Sequence, residues 1–297
     1  MKPMITEKLI EIKEFIKRKP NFGKFQTNDD FMKYTIELCN YTRFLMVMGF
    51  SIGNIKKNPK GYTIDEAPIV GLMVRSYKLY DKCVYFISKR QGEISFIFSR
   101  MIIESIITMI YLISKGRTSI QSFRKCAYRG RIQNLKILEK KKTTQKLSGI
   151  EKRMIKNIIT QIEEDGFTIK ELMNNKNWLL DGKDFAQIYK DVLNNNRYSF
   201  GYGVPSENIH GGWHDLHQFY LIKDGDSYLP NPESSDPDPR YILPLTIICL
   251  FGLSVFMNWN ETNIPEIESI ISRLDKIVKE LDETHEKYWN DLYWQKA

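Results

Sequence analysis

The stretch ISFIFSRMIIESIITMIYLI, residues 94–113, decides the fold, because it is apolar almost all round and reads as a helix at the centre of a bundle. Its only charges are Arg100 and Glu104. Four residues apart on a helix, they lie on one face and can pair. Burying such a pair costs several kcal/mol of desolvation per ion, so structure must offset it or function must use it. A second run, YILPLTIICLFGLSVFMN at 241–258, has no charge at all. Both approach the length of a membrane span. Arg100 and Glu104 would each cost about 2.5–3.5 kcal/mol at a bilayer centre, and Pro244 and Gly252 interrupt the second run. Two buried core helices, with no membrane, are the expectation.

Working outward, helical periodicity marks 5–18, 29–50, 67–89, 93–114, 119–142, 148–165, 169–174, 184–194, 241–259 and 264–288. Asn28 or Asp29 is the expected cap of the second helix, and Gln91-Gly92 a hinge between the fourth and the helix before it. No alternating pattern long enough for a strand and no internal repeat appears. The Pro-, Asp- and Ser-rich segment 224–238 reads as a solvated loop that does not match calcium-loop spacing. The fold class is therefore all-α, with an N-terminal helical extension over 1–62 and a helical bundle over 63–297.

Length and composition agree with a globular chain: 297 residues, 42% hydrophobic and 27% charged. The four cysteines are scattered without a CxxC pair, and the opening MKPMITEKLIEIKEF has no apolar leader pattern. Together these predict a reduced, cytoplasmic protein whose cysteines fill core space.

The net charge of +8 is concentrated. Residues 117–146 hold ten basic side chains against the single acid Glu139, which leaves the rest of the chain close to neutral. Such a patch attracts a polyanion, RNA or DNA above all, or an anionic membrane surface. Arg124, Lys125, Tyr128, Arg129 and Arg131 are the candidate contacts, and Arg124, Tyr128 and Arg131 fall near one face of a continuous helix. A solvated basic helix face is the competing reading.

A second constellation lies in NRYSFGYGVPSENIHGGWHDLHQFYL, residues 196–221. Pro205 suits a first helical position, placing Ser206 and His210 one turn apart before Gly211-Gly212 ends the helix. A further helix starts near Trp213. His210, His214 and His217 would share a face only on an unbroken helix, and no fourth ligand is nearby, so neither a metal nor a cofactor is expected.

In their order, these features resemble a family of bacterial proteins of unknown function whose helical core is similar to HEPN domains. That family pairs an R-x-x-x-E helix with a later Y-x-x-x-S-x-x-x-H element. Here the pattern falls on Arg100, Glu104, Tyr202, Ser206 and His210. The similarity spans roughly 67–259 and leaves the first 60 residues unaccounted for. It implies an all-α, HEPN-like bundle with additional N-terminal helices. HEPN domains are commonly metal-independent ribonucleases of toxins and phage-defence systems, often dimeric with the active site at the interface; others bind nucleic acid without cutting it. Their usual signature, Arg followed after four to six residues by His, is absent before His210, His214, His217 and His285. A site assembled from distant residues would use His210 as general acid or base, Arg100 to stabilise phosphoryl charge and Glu104 to orient either of them. Ser206 or Tyr202 would hold the phosphate. The competing reading is a non-catalytic helical module for a partner protein or small ligand, with Arg100, Glu104 and His210 as structural glue.

Overall fold

In the computed structural model, which describes residues 2–52, 58–194, 212–262 and 264–296, the apolar run lies within helix α4 (Gly92–Lys115). Its inward face, including Ile102, Ile106, Ile107 and Leu112, is buried. Helices α3 (Ala67–Ser88) and α11 (Pro239–Trp259) pack directly on it, and α2 (Asn28–Ser51) packs on both of those. The long α12 (Pro265–Lys296) packs on α11 and α2, and α1 (Lys2–Lys17) lies on α12. The all-α expectation holds at this level. Ile12 and Phe15 of α1 and Phe31, Leu38 and Leu45 of α2 enter the same core as α4, so the N-terminal helices are part of the main packing unit.

Both charge-poor runs are long and apolar enough to cross a membrane, and 61% and 56% of their most apolar windows are buried within the chain. Gly252 lets α11 approach α4 closely; a Cβ there would come within 2.6 Å of Ile106 Cγ2. Cys39, Cys83 and Cys249 are buried in this core, and burial pushes the Cys39 thiol up to about 11. Thr246 on α11 bonds Tyr80 of α3 at 2.8 Å and donates back to Ile242 O, which satisfies its hydroxyl inside the core.

Several boundaries differ from expectation for local reasons. Thr27, not Asn28 or Asp29, caps α2, in a reciprocal capping box with Asp30. The basic segment is two helices, α5 (Arg117–Cys126) and α6 (Arg129–Thr144), rather than one. Helices α6, α7 (Gly149–Glu164) and α8 (Ile169–Met173) enclose a small second core of Tyr128, Ile132, Leu135, Ile158, Ile162 and Leu172. After α9 (Phe185–Leu193), the short α10 (Trp213–Asp215) runs into a π-helical turn, Leu216–Tyr220.

Two strands, β1 (Leu221–Asp224) and β2 (Ser227–Pro230), pair antiparallel with Ile222 opposite Leu229, contrary to the expectation of no strands. Four residues per strand are too few for alternation to register, and the tight turn depends on Gly225 at φ +58°.

The segment after this hairpin is not a solvated connection. Ser235 O accepts from Gly92 N at 2.9 Å, and its Oγ accepts from Glu93 N at 3.1 Å. Glu93 returns the exchange, its carboxylate accepting from Ser235 N and Oγ. A residue 142 positions away thus caps α4. Asp236 pairs with Arg90 at 2.8 Å, and Pro237 O accepts from Asn28 Nδ2. Asn28 Oδ1 also accepts from His285 Nε2 at 3.1 Å, while the buried His285 Nδ1 has no partner among the described residues.

Two expectations follow. A Cβ at Gly92 would meet backbone atoms of Ser235, Asp236 and Pro237 at 2.9–3.1 Å. Gly92→Ala should therefore lower unfolding free energy by about 1–3 kcal/mol in urea titrations. The second concerns pH. Burial holds His285 below its ordinary 6.5, with Asp238 opposing and Arg240 reinforcing the shift. The unfolded chain therefore takes up a proton that the fold excludes, and this contribution to stability is complete above pH 6.5 and declines as pH falls below it. Asp282 has the opposite sign: burial, with Glu286 and Glu283, raises it to about 6, so the stability it adds at low pH is lost as pH rises through that value. Asp282→Asn should raise stability near neutral pH by about 1 kcal/mol, a figure discounted for solvent screening. In that variant background, the acid-side decline from His285 should stand out in denaturant midpoints measured from about pH 7.5 to 5.5.

Candidate functional site

Arg100 and Glu104 leave α4 on its less buried side, with Ile97, Met101 and Thr108. Arg100 Nε donates to Glu104 Oε1 at 3.3 Å, and the two side chains keep 22% and 33% of their exposure. The expected burial is therefore partial. The order also matters: Arg preceding Glu is the weaker orientation of an i,i+4 pair, worth a few tenths of a kcal/mol. Each residue makes further contact within the chain. The i,i+4 contact by itself is partly exposed and contributes little.

Sequence reasoning missed Arg75. From α3 it donates to Met101 O at 3.2 Å and to Ser105 Oγ, so a second guanidinium lies against the same part of α4. Twenty-five residues of separation hide it; the only available signal is a charged residue within the amphipathic pattern of α3.

Tyr202, Ser206 and His210 lie outside the described residues. The chain just beyond them is placed: Phe219 packs on Phe96, one turn before Arg100, at 5.7 Å between centroids, and Phe96 meets Tyr241 at 4.1 Å. The later motif thus leads into a segment anchored at the Arg100 end of α4. His214 and His217 are exposed. Trp213, His217 and Tyr228 form a ring cluster with centroids 5.5–5.9 Å apart. Among the described residues no group of three or more His, Cys, Asp or Glu is arranged to hold a metal.

The structure divides the five basic-patch candidates. Arg124 is turned inward at 12% exposure. It donates to Asp165 O, stands 3.9 Å from both Asp65 and Asp165, and covers Phe167 at 5.3 Å. Tyr128 is buried, and its single hydroxyl proton lies between two acceptors, the Asp165 carboxylate at 2.5 Å and Gln161 O at 2.9 Å. Burial, then Asp165, pushes its hydroxyl up to about 12. Lys125 pairs with Glu171 at 2.6 Å. These three staple α5 and the start of α6 to the α7–α8 corner.

Arg129 and Arg131 remain exposed, Arg131 lying over the Tyr128 ring at 5.7 Å. The shared face expected of Arg124, Tyr128 and Arg131 is broken because the helix interrupts at Ala127-Tyr128. The exposed stripe is instead Arg129, Gln133, Lys136 and Lys140, four α6 positions at helical spacing. Lys136 also reaches Met173 O at 3.3 Å.

Tyr128→Phe should cost about 1–2 kcal/mol through the lost hydroxyl hydrogen bond to the α7 corner. Arg129→Ala should stay within about 0.5 kcal/mol of the parent in the same denaturation assay.

A model of a protein family matches residues 66–228, a span that includes Arg100, Glu104, the basic helices and the later Tyr-Ser-His positions. No curated protein and no solved structure matches the chain. The chain belongs to DUF5677, a family of unknown function.

Proposed function

We propose that this protein is a cytoplasmic, RNA-directed helical protein of the HEPN-like kind, with the outer face of α6 as its phosphate-binding surface. The observation that carries the reading is the stripe Arg129, Lys136 and Lys140, solvent-exposed along one face of α6. From residue 129 to residue 140 the helix rises about 16 Å, enough to follow several phosphates of a single strand. The stripe is also not consumed by internal ion pairing in the way that Arg124 and Lys125 are.

On this reading the accessible pair Arg100–Glu104 is where RNA is acted upon. Arg100 meets phosphoryl charge and Glu104 orients the group that moves the proton, with Tyr202, Ser206 and His210 completing the site. Metal-independent cleavage, and a place in phage defence or toxin action, come from the HEPN resemblance. Binding comes from the charge distribution, and the two separate experimentally.

Binding is read by fluorescence anisotropy with single-stranded RNA across a salt series. Replacing Arg129, Lys136 and Lys140 together by Glu should weaken binding at least tenfold and reduce the log–log salt slope by about 2. Arg100→Ala and His210→Ala should leave binding intact and abolish cleavage of total RNA. Salt-independent binding, or a triple variant that binds like the parent, would sink the RNA reading. Binding retained by a parent that cuts nothing would leave the non-catalytic module.

A further inference from the structure

We propose that a second copy of this chain docks its α7 into the groove between α11 and α12, a head-to-tail contact independent of the RNA-binding reading. The groove has a volume of about 770 Å³. Ile247, Ile248 and Phe251 of α11 form its apolar floor, and Glu268, Asp275 and Asp282 of α12 line its acidic side. Phe251 stands 41% exposed within it. Among the described residues that line the groove Lys279 is the one cation, and it is paired with Asp275 at 2.6 Å. Asp282 faces Glu283 and Glu286 on its own helix.

The complementary surface is on the α6–α7 hairpin. The small second core uses Ile155, Ile158 and Ile162 of α7. Two further apolar residues are left outside it, Ile150 at 70% and Met154 at 38% exposure. Arg131 and Arg153 flank them, along the side of the hairpin that also presents Asn134 and Asn157. The lengths correspond: 150 to 161 on α7 spans about 16 Å, and 268 to 282 on α12 about 21 Å. An amphipathic helix laid into a groove, with its apolar row on the floor and its cations against the carboxylates, is an established packing mode. Among the described residues α7 packs on α6 and α8 and none of its residues lines the groove, which Tyr189 and Leu193 of α9 also border. The two surfaces differ, so the contact is heterologous and propagates into a ring or a filament. It therefore differs from the site-sharing HEPN dimer and leaves the Arg129–Lys136–Lys140 stripe uncovered.

Light scattering coupled to size exclusion reads the assembly. The full chain at about 100 µM and ~50 mM salt should run above monomer mass, and raising the salt tenfold should dissociate it. A helix variant (Arg153→Glu with Met154→Glu) and a groove variant (Phe251→Arg with Glu268→Arg) should each be monomeric alone. An equimolar mixture should give a one-to-one dimer and nothing larger, because each variant keeps one working half. All four positions are partly or fully exposed, and Ile150→Glu is a second helix variant should the first fail to give the parent's melting curve. A parent that stays monomeric, an assembly that survives both variants, or a mixture that fails to dimerise would each overturn the proposal.

Discussion

The exchange between Glu93 and Ser235 holds the start of α4 against the chain that follows the hairpin. Helix α4 begins at Gly92 with donors that need partners, and its own preceding residues supply no side-chain cap. Ser235 arrives from far along the chain, accepts from two of those donors, and is held in return by the Glu93 carboxylate. Because Gly92 lacks a Cβ, the 235–237 backbone can lie against the helix start. Through that clasp the hairpin and π-turn before it are pinned near Arg100, and Asn28 and His285 are drawn into the same junction.

Charge is distributed by the fold in a way that composition conceals. The basic window of ten cations divides into internal staples and an external stripe. Arg124, Lys125 and Tyr128 hold α5 and α6 against the α7–α8 corner, where carboxylates and main-chain carbonyls satisfy them. Arg129, Lys136 and Lys140 stay in water and retain their long-range field. The same division separates residues whose loss acts on the packing of the α5–α8 corner from residues whose loss changes only the surface charge.

The α4 pair shows a related effect. An Arg and a Glu inside an apolar run suggest a buried, costly interaction, but the bundle turns that side of the helix towards partial exposure. The cost of desolvation is therefore smaller than the sequence implies. Arg75 adds a second guanidinium against α4 that only the packing of α3 reveals.

Residues 94–113 and 241–258, read alone, determined that two apolar helices form the centre of an all-α bundle, because apolar residues around a whole helix must be buried. Helical period and polar punctuation also placed most helix boundaries within a few residues. Short-range signals could not show the break at Ala127-Tyr128, the four-residue strands, or Ser235 as the cap of α4. The first is fixed by Tyr128 reaching the α7 corner, the second by a tight turn at Gly225, and the third by a contact across 142 positions. Which charges face water was likewise left to tertiary packing, since exposure depends on what covers a side chain rather than on its spacing. The sequence thus determined which helices form the core, and only the tertiary structure decided which polar groups remain available to act.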